Sequence, residues 1–174
     1  MNKDFKKLAI VTGAARGIGL ATANLFEKNG FAVALVDRDS NELKKCCDET
    51  KFKKIFSFDI SNSNELEIMF KSILDWHGRI DVLVNNAGVA DFGNIEDTSF
   101  ERWNIVMKTN LDGVFLCSQK AIPFLKKTKG NIINIASISG LRASTLRVAY
   151  GTSKAAVIQL TKQQAAELGE HGIR

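Results

Sequence analysis

Short apolar runs recur along the chain at residues 8–11, 32–36, 55–58, 82–84 and 132–136. None alternates with polar positions as a half-wet sheet would, so the pattern predicts strands buried on both faces. Helical spacing fills the intervals. It is carried by Ile18, Ala21 and Leu25, then by Leu66, Met69, Phe70 and Ile73, then by a long amphipathic stretch over residues 103–125 that contains Pro123. A last helix is expected from about Val148 to Leu168, with Val157, Ile158, Thr161, Ala165 and Leu168 in register. Asn62 followed by Glu65 has the form of a helix start. Strand, helix and strand alternating at this spacing predict right-handed crossovers and an α/β fold, a doubly wound parallel sheet of Rossmann type in a single domain over residues 1–174.

Composition narrows the class. With 174 residues, 45% of them hydrophobic, the chain can bury a substantial core. The formal charge of +5 arises from separate lysine clusters, Lys6 and Lys7, Lys51 with Lys53 and Lys54, and Lys126, Lys127 and Lys129. They form no single stripe with interleaved aromatics, so they read as solvated surface and no nucleic-acid partner is expected. Cys46, Cys47 and Cys117 are odd in number and lack metal-ligand spacing, which favours a reducing, cytoplasmic setting and no metal site. Lys3, Lys6 and Lys7 before the first apolar run resemble the start of a signal peptide, but the run is brief and passes into a glycine-rich turn, so a first strand explains it better. The longest clean apolar run elsewhere, residues 31–36, falls far short of the roughly 20 residues that cross a bilayer, and no membrane partner is expected.

Chemistry enters at that turn. Thr12-Gly13-Ala14-Ala15-Arg16-Gly17-Ile18-Gly19 stands between a strand and a helix. Glycine permits a tight turn and close approach to phosphate, and the helix opening there presents free N–H groups and a positive dipole end to an anion. Gly13, Arg16, Gly17, Ile18 and Gly19 are therefore candidate contacts for a dinucleotide pyrophosphate. Asp37 ends the second apolar run, near the separation at which a carboxylate meets the adenosine ribose hydroxyls. Its charge would repel a 2′-phosphate, which favours NAD over NADP, although Arg16 and Arg38 could pair with such a phosphate. The alternative for Asp37 is a helix-capping or loop carboxylate.

With these residues the chain resembles the short-chain dehydrogenase/reductase family, in order along essentially its whole length: Gly13, Gly17 and Gly19, then Asp59-Ile60, then Asn85-Asn86-Ala87-Gly88, then Asn110, Ser137, Tyr150 and Lys154. The resemblance implies that Asp59 and Ile60 meet adenine, and that Asn86, Ala87 and Gly88 hold the central sheet and the cofactor. Asn110, Ser137, Tyr150 and Lys154 match the catalytic tetrad. By the same resemblance Lys154 also bonds the nicotinamide ribose, Ser137 polarises the substrate oxygen and Asn110 holds a water in a proton relay.

The chemistry needs such a set. A phenol with a pKa near 10 is a poor base at neutral pH, and bringing it to about 7 requires roughly 4 kcal/mol of preference for phenolate. A fixed neighbouring cation supplies much of that, and residues four apart share a helix face, so Lys154 is expected beside Tyr150. Each residue also has a plainer reading, Tyr150 with Lys154 as a surface helix contact, Ser137 as a cap and Asn110 as a polar group in a helix bend.

The expected activity is hydride transfer between nicotinamide and a small secondary alcohol or ketone. Asp91, Phe92 and residues 141–145 are candidates for the pocket. A segment ending in Gly172-Ile173-Arg174 reads as a helix end entering a further strand, so the chain is expected to be a fragment or a shortened relative lacking C-terminal strands and the substrate lid. On that reading the run at Ile132, Ile133 and Ile135 forms an exposed edge, the chain alone has little turnover and a tendency to associate, and the complete protein is a homo-oligomer, dimer or tetramer. The competing function is a catalytically impaired nucleotide-binding or interaction module.

Overall fold

The computed structural model describes residues 6–174; Lys3 lies outside them. Five parallel strands, β1 (Leu8–Thr12), β2 (Ala32–Asp37), β3 (Lys53–Ser57), β4 (Val82–Asn85) and β5 (Asn131–Asn134), form one sheet in the order β3-β2-β1-β4-β5. The chain winds outward from β1 to β3, then crosses back to add β4 and β5 on the other side. This is the doubly wound topology expected, with its switch point between β1 and β4, where folds of this kind leave a ligand crevice.

Side-chain alternation along the central strands feeds two cores. Leu8, Ile10, Ala34 and Leu83 pack with Leu66, Met69, Phe70 and Ile73 of α3 (Ser63–His77) and with Cys117, Ala121 and Leu125 of α5 (Gly113–Thr128). Ala9, Val11, Val33 and Leu35 face the other way, toward Ala23 of α1 (Gly17–Lys28) and Leu43 of α2 (Ser40–Cys46). A strand read by both layers has no wet face, hence the unbroken apolar runs.

That expectation holds for β1, β2 and β4 and is corrected for the outer strands. β3 starts at Lys53 and buries only Phe56, and β5 has no buried residue, with Ile133 42% exposed. An outer strand pairs on one side only and is covered less. Ile132 N donates to Arg174 O and Arg174 N to Gly130 O, so the backbone at 173–174 runs beside the start of β5.

Two helical faces also differ from expectation. In α1 the positions Ile18, Ala21 and Leu25 face solvent, while Gly19 and Ala23 are buried, with Leu20 and Phe26 packed beside them. The helix lies so close to the preceding turn that small residues fill the contact: a Cβ on Gly19 would stand 2.1 Å from Gly13 O. In α6 (Val148–Leu168) Val157 and Leu168 are buried, but Thr161 and Ala165 are exposed. The stretch around 103–125 is helical from α4 (Phe100–Met107) through one π-type turn (Lys108–Asp112) into α5. Asn62 caps α3 as expected: its Oδ1 accepts from Asn64 N, and its amide donates to Glu65.

The ends of β1 and β4 are joined by a polar clasp. Thr12 Oγ1 donates to Val84 O (3.3 Å) and accepts from Asn86 N (3.0 Å) and Ala87 N (3.1 Å). The Asn86 amide donates to Thr12 O (2.9 Å) and Gly13 O (3.1 Å). Gly13 has φ +66°, and a Cβ there would stand 2.7 Å from Ala87 Cα, so the approach requires glycine.

Thr12→Val keeps the shape but leaves two backbone N–H groups without their acceptor. The expected loss is about 2 kcal/mol, read as a lower urea midpoint at unchanged slope. Cys117 is fully buried in α5, which pushes its thiol up to about 12. Because the thiolate is the nucleophile, Cys117 is expected to resist alkylation until the chain opens, so its labelling rate should follow the unfolding equilibrium across a urea series.

Candidate active site

Gly13, Arg16, Asp37, Asp59, Ile60, Asn86, Ala87 and Gly88, eight of the candidate cofactor contacts, line one groove of about 230 Å³ over the ends of β1, β2 and β4. The strand order brings them together from four separate stretches of chain. Val36, Arg38, Phe58, Val89 and Thr109 complete the lining. Of these only Arg38 was marked by its charge; the apolar ones carry no signal apart from their place beside strand ends.

Gly17, Ile18 and Gly19 stand at the start of α1, outside that lining. Gly17 adopts φ +56°, Ile18 is exposed, and Gly19 is packed under the turn. The N-terminus of α1 is electrostatically open. Its cap residue, Arg16, makes no side-chain hydrogen bond to the helix, and no acidic residue occupies the first turn. The first N–H groups of a helix need a partner, and here the positive end carries no anionic side chain of its own, an arrangement that fits a pyrophosphate.

Asp37 at the end of β2 accepts from Ala15 N (3.2 Å) and Asp39 N (3.0 Å). These bonds fix it between the glycine turn and α2, whose cap is Asp39 and not Asp37. An ionised carboxylate has about four acceptor positions, so two remain for hydroxyl donors. Arg38 lies 3.8 Å from the Asp59 carboxylate, a mostly exposed pair of little energetic weight. Asp59 also accepts from Ser61 N and Oγ, while its own N–H donates to Glu65, which ties this wall to the start of α3.

At the other end of the groove Gly88 meets the second set of residues. A Cβ there would lie 3.2 Å from Asn110 Oδ1 and 3.6 Å from Lys154 Nζ, so the absence of a side chain lets both groups reach the groove's end. Lys154, on α6, is 4% exposed and donates from Nζ to Ile135 O at 2.7 Å. Burial pushes its ammonium below the usual lysine range. One helical turn earlier Tyr150 shares its face, with Lys154 Nζ 5.9 Å from the ring centroid.

Asn110 lies in the π-type turn and is wholly buried. Its amide donates to Val89 O (2.9 Å) and Ser153 Oγ (3.1 Å) and accepts from Val89 N (2.8 Å). The side chain thus pins the loop after β4 to α6, with its donors fully used. Any bond that holds a water here falls to other atoms than that amide nitrogen.

Ser137 lies three residues beyond the end of β5, not at it, and caps a short 3₁₀ turn (Ile138–Gly140) by accepting from Ser139 N. It shares a second cavity, of about 310 Å³, with Tyr150, Arg142, Ser144 and Arg147. Within residues 141–145 only Arg142 and Ser144 reach this cavity. Asp91 is turned away, its carboxylate held by Arg102 at 2.8 Å.

Among the described residues no helix is long and apolar enough to cross a membrane, and no cluster of metal-binding side chains forms.

Comparison with known proteins matches this geometry to a family. The family model for short chain dehydrogenase covers residues 7–174. Meso-2,3-butanediol dehydrogenase of Serratia marcescens is 36% identical over 170 residues, spanning 97% of this chain and 68% of the relative. The crystal structure of 3-ketoacyl-(acyl-carrier-protein) reductase from Brucella melitensis complexed with NADH superposes with a TM-score of 0.92 at 31% identity, covering 97% of this chain and 72% of that one. A metagenomic short-chain oxidoreductase in complex with NADP gives 0.90 at 34% identity, covering 97% and 78%. With its clasped glycine turn and its Tyr150 and Lys154 on one face of α6, the chain belongs to the short-chain dehydrogenase family of oxidoreductases.

Proposed function

We propose that residues 1–174 act as a nicotinamide-dinucleotide-binding domain that oxidises a small secondary alcohol or reduces the matching ketone, with Tyr150 as general acid/base. The observation that carries this reading is the junction at Gly88. The groove that fits a dinucleotide ends where Lys154 begins, and Tyr150 and Ser137 open onto a cavity beside it.

The groove residues divide the binding work. The uncapped start of α1, with Gly13, Arg16, Gly17, Ile18 and Gly19, takes the pyrophosphate. Asp37 accepts from the adenosine ribose, Asp59 and Ile60 flank adenine, and Asn86, Ala87 and Gly88 form the floor toward the reacting end. Bound there, a nicotinamide dinucleotide supplies or accepts the hydride. The relatives crystallised with NADH and with NADP leave both forms within the family's reach. Asp37, anchored by two backbone N–H groups at the ribose end, favours NAD, because a 2′-phosphate beside a fixed carboxylate is repelled.

Tyr150 gives the proton to the forming alkoxide or takes it from the hydroxyl. Lys154 lies close enough for its charge to stabilise the negative charge that develops on the Tyr150 oxygen as the proton leaves. Ser137 donates its hydroxyl to the substrate oxygen. Asn110, by pinning Val89 and Ser153, positions α6 against the groove, and a proton relay that includes a water draws on this region.

Tyr150→Phe is expected to lower kcat for ketone reduction by about 10²- to 10⁴-fold, the usual range for loss of a general acid, while calorimetry gives unchanged NAD affinity. Retention of full turnover would remove Tyr150 from the mechanism. Wild-type protein should use NAD with higher kcat/KM than NADP, and Asp37→Ala should reduce that preference. A wild-type preference for NADP would overturn the role given to Asp37.

A further inference from the structure

The cavity beside Tyr150 is strongly cationic and unbalanced. Arg142 and Arg147 both line it, with Ser137, Ser139 and Ser144 supplying hydroxyls, and no aspartate or glutamate takes part. Among the described residues neither guanidinium has a carboxylate within ion-pair distance. The nearby acid that could have neutralised them, Asp91, is held by Arg102 through both Nε (3.1 Å) and Nη2 (2.8 Å). The start of α6 adds to the imbalance: Arg147 is its cap residue, no side chain caps the helix, and its first turn carries no acidic residue.

Arg147 is also placed with some care. Its guanidinium lies 4.7 Å from the Phe92 ring centroid and 5.6 Å from that of Tyr150. The preceding residue, Leu146, adopts φ +61°, a left-handed conformation that a branched side chain disfavours, and Leu146 O accepts from Gly93 N at 3.2 Å. Non-glycine residues persist in such a conformation where surrounding contacts impose it, and here the imposed turn delivers Arg147 between two rings at the cavity. Stacking on aromatic faces occupies the plane of a guanidinium and leaves its N–H edge available to a ligand.

We infer that Arg142 and Arg147 form an anion-recognition subsite, and that the substrate is a small hydroxy or oxo compound bearing a carboxylate or phosphate a few bonds from the reacting carbon. The short link follows from Arg147 lying over the Tyr150 ring. Planar, forked guanidinium donors match carboxylate and phosphate oxygens in pairs, a pairing that a neutral substrate does not offer. This assignment rests on the proposed oxidoreductase role of Tyr150 for its reacting group, but the anion subsite is measurable without turnover.

Two substrate pairs separate charge from shape: acetoacetate against acetoacetamide, and dihydroxyacetone phosphate against dihydroxyacetone, each reduced with NADH. At least one charged member should exceed its neutral partner in kcat/KM by roughly tenfold for each guanidinium engaged. Which pair shows the preference tells carboxylate from phosphate. The ratio should collapse in the Arg142→Ala/Arg147→Ala protein and be partly kept in Arg142→Lys/Arg147→Lys, which retains charge but not the fork. A ratio near one in both pairs, or a ratio untouched by the alanine changes, overturns the subsite.

Calorimetric titration of the same four compounds into NAD-saturated Tyr150→Phe protein gives the second readout. Selective binding of a charged member that the two alanine changes abolish supports the subsite even if no compound is turned over, in which case the oxidoreductase reading fails and the anion subsite stands. Equal binding of charged and neutral members, or binding of none, overturns it.

Discussion

The contact on which the remaining architecture depends is the clasp between Thr12 and Asn86. One hydroxyl serves three backbone groups at the end of β4, and one amide returns two bonds to the end of β1. In a parallel sheet the carboxyl ends of adjacent strands splay at the switch point, because their connections leave in opposite directions. The clasp closes the bottom of that opening while leaving its top free. Gly13 has to lie against Ala87 for the bonds to form, and α1 has to start against Gly13 for its N–H groups to face the opening. A turn with ordinary side chains would push these elements apart, and the groove would lose its floor and its anion-binding end together.

Seen from this joint, the two halves of the site work by different physics. The groove acts mainly through main chain and fixed charge: an uncapped helix start, glycines and a carboxylate held by two N–H groups. The proposed reacting end relies on side chains carried on α6 and set by packing. Asn110 is the hinge pin between them, since it ties Val89, which lines the groove, to Ser153, which sits between Tyr150 and Lys154 on the helix. A π-type turn widens the helix at Asn110, a local departure that helices adopt most often where function requires it.

The sequence was most legible where local geometry and chemistry coincide. Gly13 and Gly19 are needed for the same close approaches that create the site, Gly17 for its left-handed backbone, and the 3.6-residue repeat puts Tyr150 and Lys154 together wherever the helix goes. It was least legible where an outcome depends on which layer covers a segment. The apolar positions of α1 marked its wet face, because contact with the turn selected Gly19 and Ala23 on the other side. β3 and β5 were read as buried since periodicity reports neighbours along the chain and not the number of strands alongside. Asp91 was a reasonable pocket candidate until Arg102, eleven residues on, proved to hold it.

That last displacement has a consequence for selectivity. Charge in a small cavity is set by which acids are left out as much as by which bases are put in, since one carboxylate within reach of Arg147 would satisfy it internally. Arg102 engages Asp91, the acid next to Phe92, through two bonds, and Phe92 O through a third, and in doing so also fixes the loop that carries Phe92 against Arg147. The same loop meets residue 146 through Gly93 and sets the strained turn that delivers the guanidinium. On the proposed assignment, substrate choice rests on a short polar relay, Arg102 to Asp91 and Phe92 to Arg147, whose residues lie outside the lining of the groove. An arrangement of this kind separates the charge of the cavity, set by a few loop residues, from the groove, set by the sheet and its glycine turn.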